Sequence, residues 1–159
     1  MTLSHLDGSG RARMVDVGRK PETARRAIAE GSIRMSPGAF GIMEQDSGPK
    51  GDVLSTAELA GVMAAKRTGE LIPLCHSIGL DNVQVQARLA PDLPGVWVTA
   101  TVAATGRTGV EMEALTAVSL ALLTVYDMVK SSGHGMEIGQ VRLVEKSGGT
   151  SGDWTRENG

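Results

Sequence analysis

Residues 109–130, GVEMEALTAVSLALLTVYDMVK, constrain the fold more than any other stretch. From Ala114 to Val125 only three small hydroxyls, Thr116, Ser119 and Thr124, interrupt an apolar run. The pattern predicts one helix that is apolar almost all the way round, and such a helix is normally buried on every side. Yet it carries Glu111 and Glu113 at its start and Asp127 and Lys130 at its end. Ionisable groups on a buried element cost stability unless they are paired or put to use. The stretch therefore sets the packing problem and marks the first place to look for chemistry.

A chain of 159 residues is most economically one domain over 1–159, with residues 1–12 and about 150–159 expected to be flexible. Sixteen basic against 18 acidic residues argue against a protein that coats nucleic acid. Phe40, Trp97, Tyr126 and Trp154 are the only aromatics apart from histidine, too few for base-stacking platforms. A single cysteine, Cys75, excludes a disulfide framework and a CxxC motif, and it fits a reducing, cytoplasmic setting. The N-terminus lacks the apolar core of a signal peptide, and the uncharged run Ala114–Tyr126 is too short for a membrane span. No membrane partner is expected.

Along the chain, Pro21 predicts the start of a helix over Glu22–Glu30, ended by Gly31, with Ser32–Met35 extended. Ser36-Pro37 opens a short helix to about Glu44, and Asp52 caps another to about Arg67. Val83, Val85, Ala87 and Leu89 alternate with polar residues, and Val96–Val102 returns after Pro91–Gly95, which predicts an antiparallel hairpin. Gln140–Val144 closes as a strand, and the tail Ser147–Gly159 is expected to be flexible until bound. Helices and a hairpin without regular βαβ alternation imply an α+β sandwich, an antiparallel sheet with helices packed on one face.

Asp127 and Lys130 lie three apart on one helical turn. Such pairs are usually weak surface ion pairs, but the apolar surroundings predict partial burial, where burial and a lysine neighbour pull a carboxyl pKa in opposite directions. Glu113 precedes Asp127 by fourteen residues, roughly 21 Å along the helix axis but on nearly the same face. One small site in one chain cannot easily use both. Two such helices packed antiparallel about a two-fold axis would bring Glu113 of one subunit to Asp127 of the other. A stable, active monomer in sedimentation would sink that expectation.

In Leu71–Ser77 (LIPLCHS), Cys75 and His76 are adjacent, so neither a zinc centre nor a Cys–His nucleophile pair is well served. Structural burial of the cysteine and ligand contact by His76 weigh about equally. Three basic, glycine-containing segments, GPKGD with Lys50, GRTG with Arg107 and KSGG with Lys146, offer backbone N–H groups and cations to an anion. None matches the P-loop of nucleotide triphosphatases. Together they point to a phosphorylated substrate.

MVDV (14–17), KGDV (50–53), AGVMAAKRT (60–68), LIPLCH (71–76), TGVEMEALTA (108–117), TVYDMVK (124–130) and VRLVEKSGG (141–149) occur in order and, as a set, resemble the cyclic pyranopterin monophosphate synthase family, the C proteins of molybdenum cofactor biosynthesis. The resemblance implies a ferredoxin-like fold assembled as a hexamer, a trimer of dimers with active sites at the dimer interface. The implied small-molecule substrate is a cyclised GTP derivative, 3′,8-cyclo-7,8-dihydroguanosine triphosphate. Rearrangement to cyclic pyranopterin monophosphate releases pyrophosphate. By motif, the resemblance makes Asp127 and Lys130 the catalytic acid/base pair. It makes Leu74, Cys75, His76, Met112 and Glu113 substrate contacts, with Lys50 and Lys146 serving phosphates or proton transfers and Arg25 and Arg107 as further phosphate contacts. No metal ligand set and no redox cofactor is implied, although Mg²⁺ can assist pyrophosphate departure. Ser77, where the family usually has Pro, and the glycine-rich SSGHG (131–135) depart from the pattern without removing a catalytic residue. Two other readings stand beside the lyase: a module that binds a phosphorylated purine or pterin without chemistry, and a zinc hydrolase built on His76.

Overall fold

The computed structural model describes residues 4–45 and 52–157. Strand β1 (Thr23–Arg34) leads into helices α1 (Pro37–Glu44), α2 (Val53–Lys66) and α3 (Thr68–Leu71). The hairpin β2 (Asn82–Ala90) and β3 (Gly95–Gly106) follows, then α4 (Glu111–Val129), a short 3-10 turn at Lys130–Ser132, β4 (Glu137–Ser147) and β5 (Trp154–Thr155). The sheet runs β2-β3-β1-β4-β5, and every neighbouring pair is antiparallel. Taking the longer elements alone, this is the βαββαβ order and strand sequence of a ferredoxin-like α+β fold. Helices α2 and α4 lie side by side against the sheet, α4 over β1, β3 and β4 and α2 over β2.

Several local signals translate directly. Ser36 accepts from the Ala39 N–H at 3.2 Å with Pro37 opening α1, and Asp52 accepts from the Ser55 N–H at 3.0 Å to cap α2. The β2–β3 hairpin pairs Asn82 with Ala103 through Ala90 with Gly95. The helix expected over Glu22–Glu30 is instead most of β1. Its Ala, Arg and Glu content favours helix in isolation, but β1 is paired along its length, to β3 on one side and β4 on the other. Ala27, Ala29, Gly31 and Ile33 point at α4 with the two-residue period of a strand. Sheet pairing outweighs a propensity worth only tenths of a kcal/mol per residue. The tail expected to be flexible contributes β5, where Trp154 pairs with Lys146, and Arg156 stacks over the Trp154 ring at 5.6 Å.

Ala114, Ala117, Val118, Ala121, Leu122 and Val125 of α4 are fully buried. Its hydroxyls bond back along the helix, Ser119 Oγ to the Leu115 carbonyl at 2.8 Å and Thr124 Oγ1 to the Leu120 carbonyl at 2.7 Å. By length and composition Glu111–Ser132 would suffice to cross a membrane. Its burial against three strands and α2 gives that apolarity a use inside the fold. Close approach needs small residues. A methyl group at Gly31 would stand 2.9–3.0 Å from Val118, Leu122 and Val141. Gly31→Val should therefore destabilise the fold by about 1–3 kcal/mol, read as a lower urea midpoint; an unchanged midpoint would mean that α4 can move away without loss.

Candidate active site

The β1 pairings bring distant segments together. Thr23 lies opposite Gly106 and Arg26 opposite Ser147, so GRTG, at the end of β3, and KSGG, at the end of β4, meet at the start of β1. Arg25 ties the corner, donating from Nε to the Gly106 carbonyl at 3.3 Å. Gly148 and Gly149 have φ of +88° and +84°. A side chain there would strike the Ala24 carbonyl and the Arg25 guanidinium, so only glycine lets this turn lie on β1. The result is a cavity of about 180 Å³ lined by Lys20, Arg25, Arg26, Arg107 and Lys146, with Glu111 the single carboxylate. Lys146 Nζ is 3.1 Å from Glu111 Oε1, and Arg26 pairs with Glu145 at 2.6 Å. Arg107 also pairs with Glu22 at 3.7 Å, so five cations meet three carboxylates and the corner keeps a net positive charge, a favourable setting for an anion.

Thr108, Gly109 and Glu111 also line a second, larger cavity of about 610 Å³. Its other walls include Leu74, Cys75, His76, Met112 and Ile78, and it is mostly apolar. His76 donates from Nε2 to the Val15 carbonyl at 2.8 Å. A neutral ring then keeps its lone pair on Nδ1, which is the arrangement of a proton acceptor. Behind the wall, Glu113 is 2 % exposed, its Oε2 has no partner among the described residues, and Cys75 Sγ donates to Oε1 at 3.9 Å. Burial pushes the Glu113 carboxyl pKa up, and the neighbouring Glu111 charge adds to it. Burial and then Glu113 push the Cys75 thiol up as well, away from the thiolate that a nucleophile or zinc ligand needs. Among the described residues no three His, Cys, Asp or Glu gather closely enough to hold a metal ion.

A carboxyl whose pKa is raised by folding favours the native state while protonated, and that advantage disappears as pH climbs through the native pKa. Glu113→Gln removes this dependence. Its stability relative to the native sequence should shift in its favour between about pH 4 and pH 7. Urea midpoints at both values measure it; a difference independent of pH would mean that Glu113 keeps an ordinary pKa.

The structure gathers Leu74, Cys75, His76 and Met112 with Lys146, Arg25 and Arg107, and sets Glu113 just behind them. Lys50 lies outside the described residues. Asp127 and Lys130 do not join either cavity. They sit at the far end of α4, with Lys130 Nζ 2.6 Å from Asp127 Oδ1. Partial burial was expected, but these side chains are 64 % and 51 % exposed, because they fall on the stripe of α4 that faces away from the sheet. That stripe runs from exposed Met112 through Ser119 and exposed Leu123, and exposed Leu59 and Met63 of neighbouring α2 add to its apolar character. Asp127 pushes the Lys130 pKa up, so the ammonium stays charged. His5, Lys20, Arg26 and Glu111 also line the cavities and were not singled out for the site from sequence. Glu111 stands out in the sequence only as an ionisable group at the start of α4, while the other three come into view with the N-terminal arm and the residues around the start of β1.

Known proteins resemble this chain along almost its whole length. Cyclic pyranopterin monophosphate synthases of Brucella ovis and Novosphingobium aromaticivorans are 55 % and 58 % identical over 152 residues, covering 96 % of this chain and 92 % and 96 % of theirs. That of Roseiflexus sp. strain RS-1 is 56 % identical over 155 residues, 98 % of each chain. The model of the MoaC family matches residues 14–149, from the segment that orients His76 to the glycine turn on Arg25. That span carries all of the cavity-lining residues except His5, Thr150 and Ser151, and the chain belongs to the MoaC family.

Proposed function

We propose that the chain is a lyase of molybdenum cofactor biosynthesis that converts 3′,8-cyclo-7,8-dihydroguanosine triphosphate to cyclic pyranopterin monophosphate and releases pyrophosphate. Relatives more than half identical bear the name cyclic pyranopterin monophosphate synthase. The observation that carries the reading is that a largely apolar cavity, sized for a fused heterocycle, shares Thr108, Gly109 and Glu111 with a cation-rich pocket. A purine-derived ring fits the first and a triphosphate the second.

Losing pyrophosphate while one phosphate is kept requires attack by a substrate hydroxyl on the α-phosphorus, with the β- and γ-phosphates leaving together. Arg25, Arg107 and Lys146 neutralise the charge that builds on the leaving group, and Lys50 belongs with them by motif. Mg²⁺ carried by the pyrophosphate would act in the same sense. Opening and rebuilding the ring needs proton transfers. His76 Nδ1 is one acceptor, Asp127 with the Lys130 ammonium supplies others, and Leu74, Cys75, Met112 and Glu113 shape the ring site. Asp127 and Lys130 act on a neighbouring copy's cavity, in a homo-oligomer whose two-fold joins the exposed stripes of α4; a trimer of such dimers is the expected assembly. A cytoplasmic location accords with the single unpaired cysteine.

Purified protein given the cyclised substrate should release pyrophosphate in proportion to cyclic pyranopterin monophosphate formed. Binding without release would leave a carrier instead. Lys146→Ala should lower kcat/KM by about 10–100-fold, the worth of one hydrogen bond to a charged group; an unchanged value would remove Lys146 from the phosphate site.

A further inference from the structure

We infer that His5, carried on the N-terminal arm, is a substrate-contacting residue of the heterocycle cavity; this rests on the functional reading above. His5 lines the same cavity as His76 and Cys75. Polar bonds shape the arm that brings it there. Asp7 Oδ1 accepts from the Ser9 N–H at 2.8 Å, the Ser9 hydroxyl at 2.7 Å and the Arg11 N–H at 2.9 Å. Leu6 bridges Ala12, and the Arg13 N–H donates to the His5 carbonyl at 2.8 Å. Leu6 is 41 % exposed and Met14 48 %, so no buried apolar contact by either explains why the arm lies where it does.

What ties the segment to the cavity wall is a hydrogen bond. The Val15 carbonyl holds His76 Nε2, so one short segment both orients the first imidazole and delivers a second. No described residue hydrogen-bonds the His5 ring, which leaves both its nitrogens for a ligand. Apart from His5, the polar side chains on this largely apolar wall are Cys75, His76, Thr108 and Glu111, few for the ring nitrogens and carbonyl of a purine-derived substrate. His5 supplies another on the face that the arm closes.

The test uses the full chain and the cyclised GTP compound. His5→Ala should lower kcat/KM for pyrophosphate release at least fivefold, with an unchanged melting temperature. Asp7→Ala, which undoes the turn but keeps the imidazole, should raise KM in the same direction with kcat nearly kept, because the arm is then ordered only by substrate. A loss below fivefold in His5→Ala overturns the inference, and so does a loss accompanied by a lower melting temperature, which would make the arm a structural prop. If the unaltered chain releases no pyrophosphate, the lyase reading fails while this one does not. Calorimetric binding of the same compound then decides, with at least fivefold weaker affinity in His5→Ala expected and equal affinity overturning it.

Discussion

Asp127→Asn is expected to lower kcat for pyrophosphate release by about 10²–10⁴-fold, the usual worth of a general acid–base group, with substrate affinity and melting temperature nearly unchanged. The substitution keeps size and leaves the side chain where it is, 64 % exposed at the end of α4. An exposed pair three residues apart contributes about 0–1 kcal/mol to stability, so a large loss of activity could not come from unfolding. Nor should affinity suffer, because the cations and the apolar walls proposed to hold the substrate lie at the other end of the helix. A variant that keeps full turnover would remove Asp127 from the reaction and favour a module that only binds.

Mixed oligomers should recover activity that neither parent variant has. Within one chain Asp127 stands roughly 21 Å along α4 from Glu113, and neither Asp127 nor Lys130 lines either of the two cavities described above. If a site takes its cavity from one copy and Asp127 from another, co-expressing Asp127→Asn with Lys146→Ala builds pairs in which one site is whole. Random pairing makes half of the dimers mixed, each with one intact site of two. About a quarter of the unaltered activity should return. Activity no greater than the sum of the two variants would show that each chain works alone, and the apolar stripe through Met112 and Leu123 would need another partner.

Much of the fold was legible because it rests on local signals. The caps at Ser36 and Asp52, the alternation through β2 and the length of α4 each state their structure within a few residues. Strand β1 was not legible, since its Ala, Arg and Glu residues favour helix locally and only pairing to both β3 and β4 makes it a strand. That misreading matters for the site. On a helix, Arg25 would have no relation to GRTG or KSGG; on β1, the registers Thr23 to Gly106 and Arg26 to Ser147 make it their meeting point.

The partners of the functional groups divide the same way. That LIPLCH, GRTG and KSGG carry ligand-like chemistry follows from their own residues, because an imidazole, a cation and a glycine turn have their properties wherever they stand. That they form two adjacent cavities with a shared wall, with Glu113 buried behind Cys75 and His76 held by Val15, is decided by strand register and by α4 lying across the sheet. Residue chemistry is local and can be read in order along the chain, and helix length alone sets Asp127 apart from Glu113. Distance between segments is set by long-range pairing, which no short window contains, so only the tertiary structure shows which loops gather at the Glu111 end of α4 and that Asp127 and Lys130 face outward.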